Sequence, residues 1–220
     1  MTEAIAEFFR NVFGDNVILA TIIIAIVPMI ELKGAIPFAM SEQLWGSNAL
    51  ATWPALGYSF LGSILIVPVL ALVFKPIYNA IKDKKFFRAI VHFFVGGVEE
   101  KTDKTNQKTK EKSERAKLWL KILAVFLFVA FPVPLTGVWT GTCFAVLLGL
   151  NFWQACAVVI SGNAVCGLIV AFVCSIFPNA TTILLFVFIG LIVAALLVRT
   201  IIFFVRKHKQ KQEKIEEKAE

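Results

Sequence analysis

Three stretches of this chain run long without a formal charge: residues 49–74 and 152–177, 26 residues each, and residues 180–198, 19 residues. A helix rises 1.5 Å per residue, so about 20 apolar residues cross a hydrocarbon core of roughly 30 Å. Each stretch is long enough to do so. Inside lipid, a helix satisfies its backbone N–H and C=O groups within one segment. The chain is therefore expected to be all-α and integral to a membrane. Its 58% hydrophobic content and mean hydropathy of +0.79 over 220 residues agree, standing above an ordinary soluble domain.

The net charge of +7 is not spread evenly. Residues 75–121 hold 13 Lys or Arg against 6 Asp or Glu, and the tail after Val205 holds six against four. Basic excess beside membrane spans marks cytoplasmic segments, so both are expected inside, in contact with anionic lipid. Nucleic acid is not an expected partner, because no recognition motif accompanies the basic runs. The start of the chain carries Glu3 and Glu7 rather than a basic region, which argues against a cleaved leader. Ile5, Phe8, Phe9, Val12 and Phe13 recur at helical spacing and predict an amphipathic helix on the membrane surface.

Parity then constrains the middle of the chain. If the loop ending at Lys121 and the tail beginning at Arg206 share a side, an even number of crossings separates them. Residues 152–177 and 180–205, split by Pro178-Asn179, supply two, so residues 118–150 must leave and re-enter the same face. Its two apolar arms, 118–131 and 138–150, are each about 20 Å long and too short to span. Between them Pro132 and Pro134 remove backbone donors and disfavour helix at the residues before them.

The first third repeats this plan, with residues 17–30, then Glu31-Leu32-Lys33-Gly34-Ala35-Ile36-Pro37, a shorter arm and the first long run. At an offset of 103 residues, 9 of the 43 positions from 32 to 74 are identical, without a gap. Gly34 falls on Gly137 and Leu65-Ile66-Val67 on Leu168-Ile169-Val170. The first hairpin would enter from outside and the second from inside, giving inverted repeats over about 17–74 and 118–177. Residues 1–205 then form one membrane domain, with a basic connector at 75–117, a last span at 180–205 and a charged tail at 206–220. Within the connector, residues 76–98 read as an interfacial helix and 101–117 as a mobile polar linker.

The candidate site residues sit at the hairpin tips. Glu31 and Lys33 are the only charges between Asp15 and Glu42. A charge at the centre of a membrane helix costs roughly 2.5 to 3.5 kcal/mol on insertion scales, so such residues face a cavity or a partner. Glu31 is a candidate proton-coupling carboxylate and Lys33 a candidate for an anionic headgroup. Alternatively the two neutralise each other and pin the tip, which requires a break at Gly34, because residues two apart on a helix point apart. Pro37 ends this motif. At the second tip Thr136 is placed to cap the half-helix that follows Gly137, whose amides and positive dipole end point inward. Trp139 and Thr140 can line a path, or the Trp139 indole packs against the opposite hairpin. Gly137 and Gly141 permit close helix approach. Asn163, inside a span, must find a hydrogen-bond partner, on a hairpin tip or on a neighbouring helix.

No metal, nucleotide or catalytic constellation is present. Cys143, Cys156, Cys166 and Cys174 lie in apolar runs as small packing residues, and neither His92 nor His208 has metal-ligand neighbours. No cofactor and no enzymatic activity are expected.

The two tip motifs, Glu31 to Pro37 and Pro132-Val133-Pro134-Leu135-Thr136-Gly137-Val138-Trp139-Thr140-Gly141, resemble the signatures of the putative small multidrug export proteins. The likeness runs over roughly residues 17 to 200. That family is in turn distantly similar to DedA or VTT membrane proteins, whose paired re-entrant hairpins are associated with moving lipids and carriers such as undecaprenyl phosphate. The resemblance implies a secondary transporter in a bacterial cytoplasmic membrane. A flippase for an anionic lipid and a non-transporting assembly factor are its alternatives. Membrane lipids and a small-molecule or lipid substrate are the expected partners, with a homodimer left open.

Overall fold

The computed structural model describes residues 2–81, 107–133 and 136–177, with Ile183, Val187 and Gly190 beyond them. Among these residues all regular structure is helical: α1 (Thr2–Phe13), α2 (Val17–Ile26), α3 (Glu31–Met40), α4 (Glu42–Trp45), a 3-10 turn at Gly46–Asn48, α5 (Thr52–Ile81), α6 (Gln107–Ala130), α7 (Val138–Leu147) and α8 (Phe152–Ile176). Two are long and apolar enough to cross a membrane, α5 over Thr52–Pro76 and α8 over Phe152–Ile176. A third crossing is available if α1 and α2, bent by 98°, count as one broken span.

The helix ends follow from local chemistry. Gly14, at φ +60°, turns the chain out of α1, and the Asn16 side chain then accepts from the Leu19 amide at 3.0 Å to start α2. Such a cap contributes about 1 kcal/mol. At the start of α8, Asn151 accepts from the Gln154 amide at 2.9 Å and the Gln154 side chain accepts from the Asn151 amide at 3.1 Å, a reciprocal capping box. α1 is tied to the first hairpin. Phe9 meets Phe38 edge-on at 4.8 Å, and Arg10 donates to the Leu44 carbonyl at 3.1 Å.

Each hairpin packs against both long helices. One core joins α2 and α3 through Val17, Ala20, Ile24, Ala35 and Phe38. A second gathers Val125, Val129, Val138 and Val159 around α6, α7 and α8, and takes in Val67 and Ala71 of α5. A third joins Leu32 and Ile36 of α3 to Cys166, Val170 and Cys174 of α8. The long helices cross antiparallel: Asn163 bonds Ser63, whereas Gly167, further along α8, receives Leu56, further back on α5. Two glycines permit the closest approaches. A Cβ at Gly62 would overlap the Ile22 carbonyl of α2, and one at Gly162 would press on the Phe126 carbonyl and Val129 of α6.

Large apolar side chains remain exposed on the outer faces, among them Leu61, Leu65 and Leu72 on α5, Leu123 and Leu127 on α6, and Leu168 and Phe172 on α8. So many exposed large apolar side chains on membrane-length helices suit lipid. Trp53 and Trp153 stand exposed at the first turns of α5 and α8, where interfacial indoles are common.

Three expectations are corrected. The first hairpin breaks at Val27–Ile30 and not within Glu31–Pro37, because α3 runs unbroken through Gly34 and Pro37. Gln107 to Lys117, expected as a linker, is helical and continues into α6 as one 24-residue helix. Pro76 does not end α5, which runs on to Ile81; residues 82–98 of the expected interfacial helix lie outside the described residues. Outside them too are Pro134, the Pro178-Asn179 turn, both histidines, the basic tail and all but three residues of the last span.

Candidate functional site: the contact between the two hairpin tips

The site begins with the break between α2 and α3. Val27 leaves the helix in an extended conformation, and Met29 and Glu31 adopt positive φ of 73° and 50°. For residues with a Cβ this is an uncommon backbone region, held only where the surroundings impose it. Starting α3 from such a residue changes where the Glu31 side chain leaves the helix. Glu31 and Lys33 therefore meet, with Nζ and Oε2 3.6 Å apart, although a regular helix would splay them. No break at Gly34 is needed. Pro37, inside α3, has no N–H to give the Lys33 carbonyl and so deprives it of its helical partner.

Both charges are buried, Glu31 to 5% and Lys33 to 3% relative exposure, and each reaches the second hairpin. Glu31 Oε1 accepts from the Trp139 amide at 3.2 Å, and the Val138 amide also bonds the carboxylate. These are the first two residues of α7, whose N–H groups have no helical partner and whose dipole end is positive. Lys33 Nζ donates to the Val133 carbonyl at 2.9 Å and to Thr136 Oγ1 at 3.3 Å. The Trp139 indole N–H donates back to the Ile26 carbonyl, the last residue of α2, at 3.0 Å.

The carboxylate of one tip thus takes the amides of the other, and the ammonium takes its carbonyl and hydroxyl. A buried ion pair alone gains little against its desolvation. It is sustained when further hydrogen bonds occupy both ions, as they do here. Gly137 makes the approach feasible, since a Cβ there would overlap Glu31 Oε2.

Thr136 does not cap α7, contrary to expectation. The helix begins from Gly137 without a side-chain cap, and the Thr136 hydroxyl lies 2.8 Å from the Phe131 and Val133 carbonyls behind it while accepting from Lys33. Glu31 supplies the cap from the other hairpin. Gly141 faces Val129 of α6, so its smallness serves packing. Asn163 donates to Ser63 on α5 at 2.7 Å, the neighbouring-helix alternative. Pro132 and Thr140 are exposed beside the contact.

Five expected residues therefore come together: Glu31, Lys33, Thr136, Gly137 and Trp139. The partners that were not foreseen are two main-chain carbonyls, of Ile26 and Val133, which no residue type signals; the inward amides at the start of α7 were expected. Among the described residues no three His, Cys, Asp or Glu gather as a metal site, and all four cysteines are free. An apolar groove of about 380 Å³ lies between the start of α5 and the last turns of α8, lined by Thr52, Trp53, Leu168, Phe172 and Ser175 among others.

A family model described as putative small multi-drug export protein matches residues 31–169, which include Glu31, Lys33, the second tip, all of α5 and most of α8. No match is found among curated proteins or among solved structures.

Proposed function

The chain belongs to the putative small multi-drug export protein family, and on that premise we propose that it is a secondary exporter whose two hairpin-plus-span repeats are inverted and alternate access around the Glu31–Lys33 contact. The observation that carries this reading is the capture of the α7 amides by Glu31. The tips of two hairpins far apart in sequence meet through charges that are costly to bury, and such charges in a membrane protein mark a pathway or a relay.

Several features support inversion. The spans run antiparallel and cross at Ser63 and Asn163, and each meets the first arm of its own hairpin through a glycine, Gly62 against α2 and Gly162 against α6. Lys33 bonds Thr136, its counterpart at the 103-residue offset. Transporters of inverted design bind near the midplane where broken helices meet. Opening toward either side requires the tips to part. Neutralising Glu31 with a proton removes both the attraction to Lys33 and the carboxylate's hold on the amides, which couples tip separation to proton movement. The apolar groove beside Trp53 is of the size that drug-like molecules occupy.

The membrane in this reading is a bacterial cytoplasmic membrane, with the connector and C-terminus inside. No catalytic role or cofactor is assigned. A flippase for an anionic lipid is the second reading, favoured by one observation: Lys33 and the α7 amides already hold a carboxylate, and a phosphate oxygen would take the same donors.

Reconstitution separates these. In proteoliposomes with an imposed pH gradient, flux of a lipophilic dye that falls to background in Glu31→Gln supports the exporter. Lipid translocation without dye flux supports the flippase. Absence of both, with Glu31→Gln still supporting growth where the wild type is required, sinks the site and leaves an assembly role.

A further inference from the structure

The crossing of the two long helices carries a polar cluster that the tip contact does not use. Ser59 and Ser63 lie one turn apart on α5, and Asn163 of α8 bonds the second of them; all three side chains are buried to within 1% of full enclosure. Ser63 Oγ accepts from Asn163 Nδ2 at 2.7 Å and donates to the Phe60 carbonyl at 3.0 Å, so its bonding is complete. Two oxygens at the same crossing have no partner among the described residues, Ser59 Oγ and Asn163 Oδ1.

Within a membrane a buried polar atom left unpaired costs several kcal/mol on apolar-transfer scales, and natural structures rarely tolerate one. Side chains one helical turn apart are neighbours at about 5–6 Å between Cβ atoms. Ser59 is thus a near neighbour of the Ser63 hydroxyl that holds the Asn163 amide through its nitrogen.

We propose that this crossing is a binding site for one buried water molecule, which bridges Ser59 Oγ and Asn163 Oδ1. Water matches the donor set: Asn163 Oδ1 only accepts, a serine hydroxyl accepts or donates, and a water supplies both kinds of partner. A cation does not match. Two neutral oxygens without a carboxylate fall short of the six or more that hard cations collect. A water at this point also makes the crossing adaptable, because a bridged bond re-forms after a small rotation of one span against the other.

The test is a density map near 2 Å resolution of the full chain in lipid nanodiscs, collected in sodium chloride, in choline chloride and in thallium nitrate. The expected result is one spherical feature within hydrogen-bond distance of both oxygens, unchanged among the three salts and lost in Ser59→Ala. A direct Ser59–Asn163 hydrogen bond with nothing between would overturn the proposal. So would a feature that strengthens in thallium, since that marks a monovalent cation. Should Ser59→Ala not purify, the three wild-type maps decide alone.

Discussion

Glu31 caps α7 by taking the amide of its second residue, Trp139, and does so from the other hairpin, across 108 positions of sequence. The same tryptophan returns a bond to Ile26, at the end of the helix just before Glu31. The two tips are therefore doubly fastened at this point, once through a carboxylate and once through an indole.

Removing the carboxylate tests the first fastening. Glu31→Ala leaves the first amides of α7 without it and Lys33 buried with no counter-charge, and breaking a buried pair this way costs about 3 to 5 kcal/mol. Glu31→Gln keeps the shape and an acceptor oxygen, so it should unfold at a temperature between the wild type and Glu31→Ala. Thermal unfolding in mild detergent checks the order; an alanine variant as stable as the wild type would refute the cap.

Lys33 should show the reciprocal dependence. Lys33→Met alone strands Glu31, whereas Lys33→Met with Glu31→Gln removes both charges together. The double variant is expected to lose less stability than the sum of the single losses, with a coupling of about 0.5 to 3 kcal/mol. Additive losses in the same unfolding assay would mean that the 3.6 Å pair contributes nothing.

Gly137→Ala places a methyl where Glu31 Oε2 now sits. Overpacking of this kind costs about 1 to 3 kcal/mol, and dye flux should drop with it because the carboxylate is displaced from the amides. Shortening the acid relieves the overlap, so Gly137→Ala combined with Glu31→Asp should recover part of the stability. If Glu31→Asp worsens Gly137→Ala as much as it worsens the wild type, the two side chains do not meet.

Trp139→Phe deletes only the indole donor and leaves the Ile26 carbonyl unpaired, a loss of about 1 to 3 kcal/mol. Hydrogen exchange should locate the effect at the α2–α3 break, with faster exchange there and little change in α8. Uniform acceleration across the chain would instead indicate loss of bulk packing.

How much of this was legible beforehand differs by feature. The long helices were, because 26 uncharged residues admit few alternatives, and Glu31 and Lys33 stood out against apolar neighbours. The position of the first break was not. Gly34 and Pro37 look like helix breakers, yet the chain turns at Val27–Ile30 through positive φ at Met29 and Glu31, residue types that do not advertise it. Thr136 misled for a related reason. A threonine before a glycine and a helix is a natural cap, but local rules cannot see a carboxylate arriving from 105 residues away.

An internal carboxylate seated on the α7 amides has a consequence for pharmacology. Any dissolved anion aimed at those amides competes with a tethered rival whose effective concentration is on the order of millimolar or more. Free acetate or phosphate should accordingly be a feeble inhibitor of the wild type. Potency, where it exists, will belong to molecules that also draw on the surrounding apolar walls, and the resting protein behaves as a complex with its own pseudo-ligand.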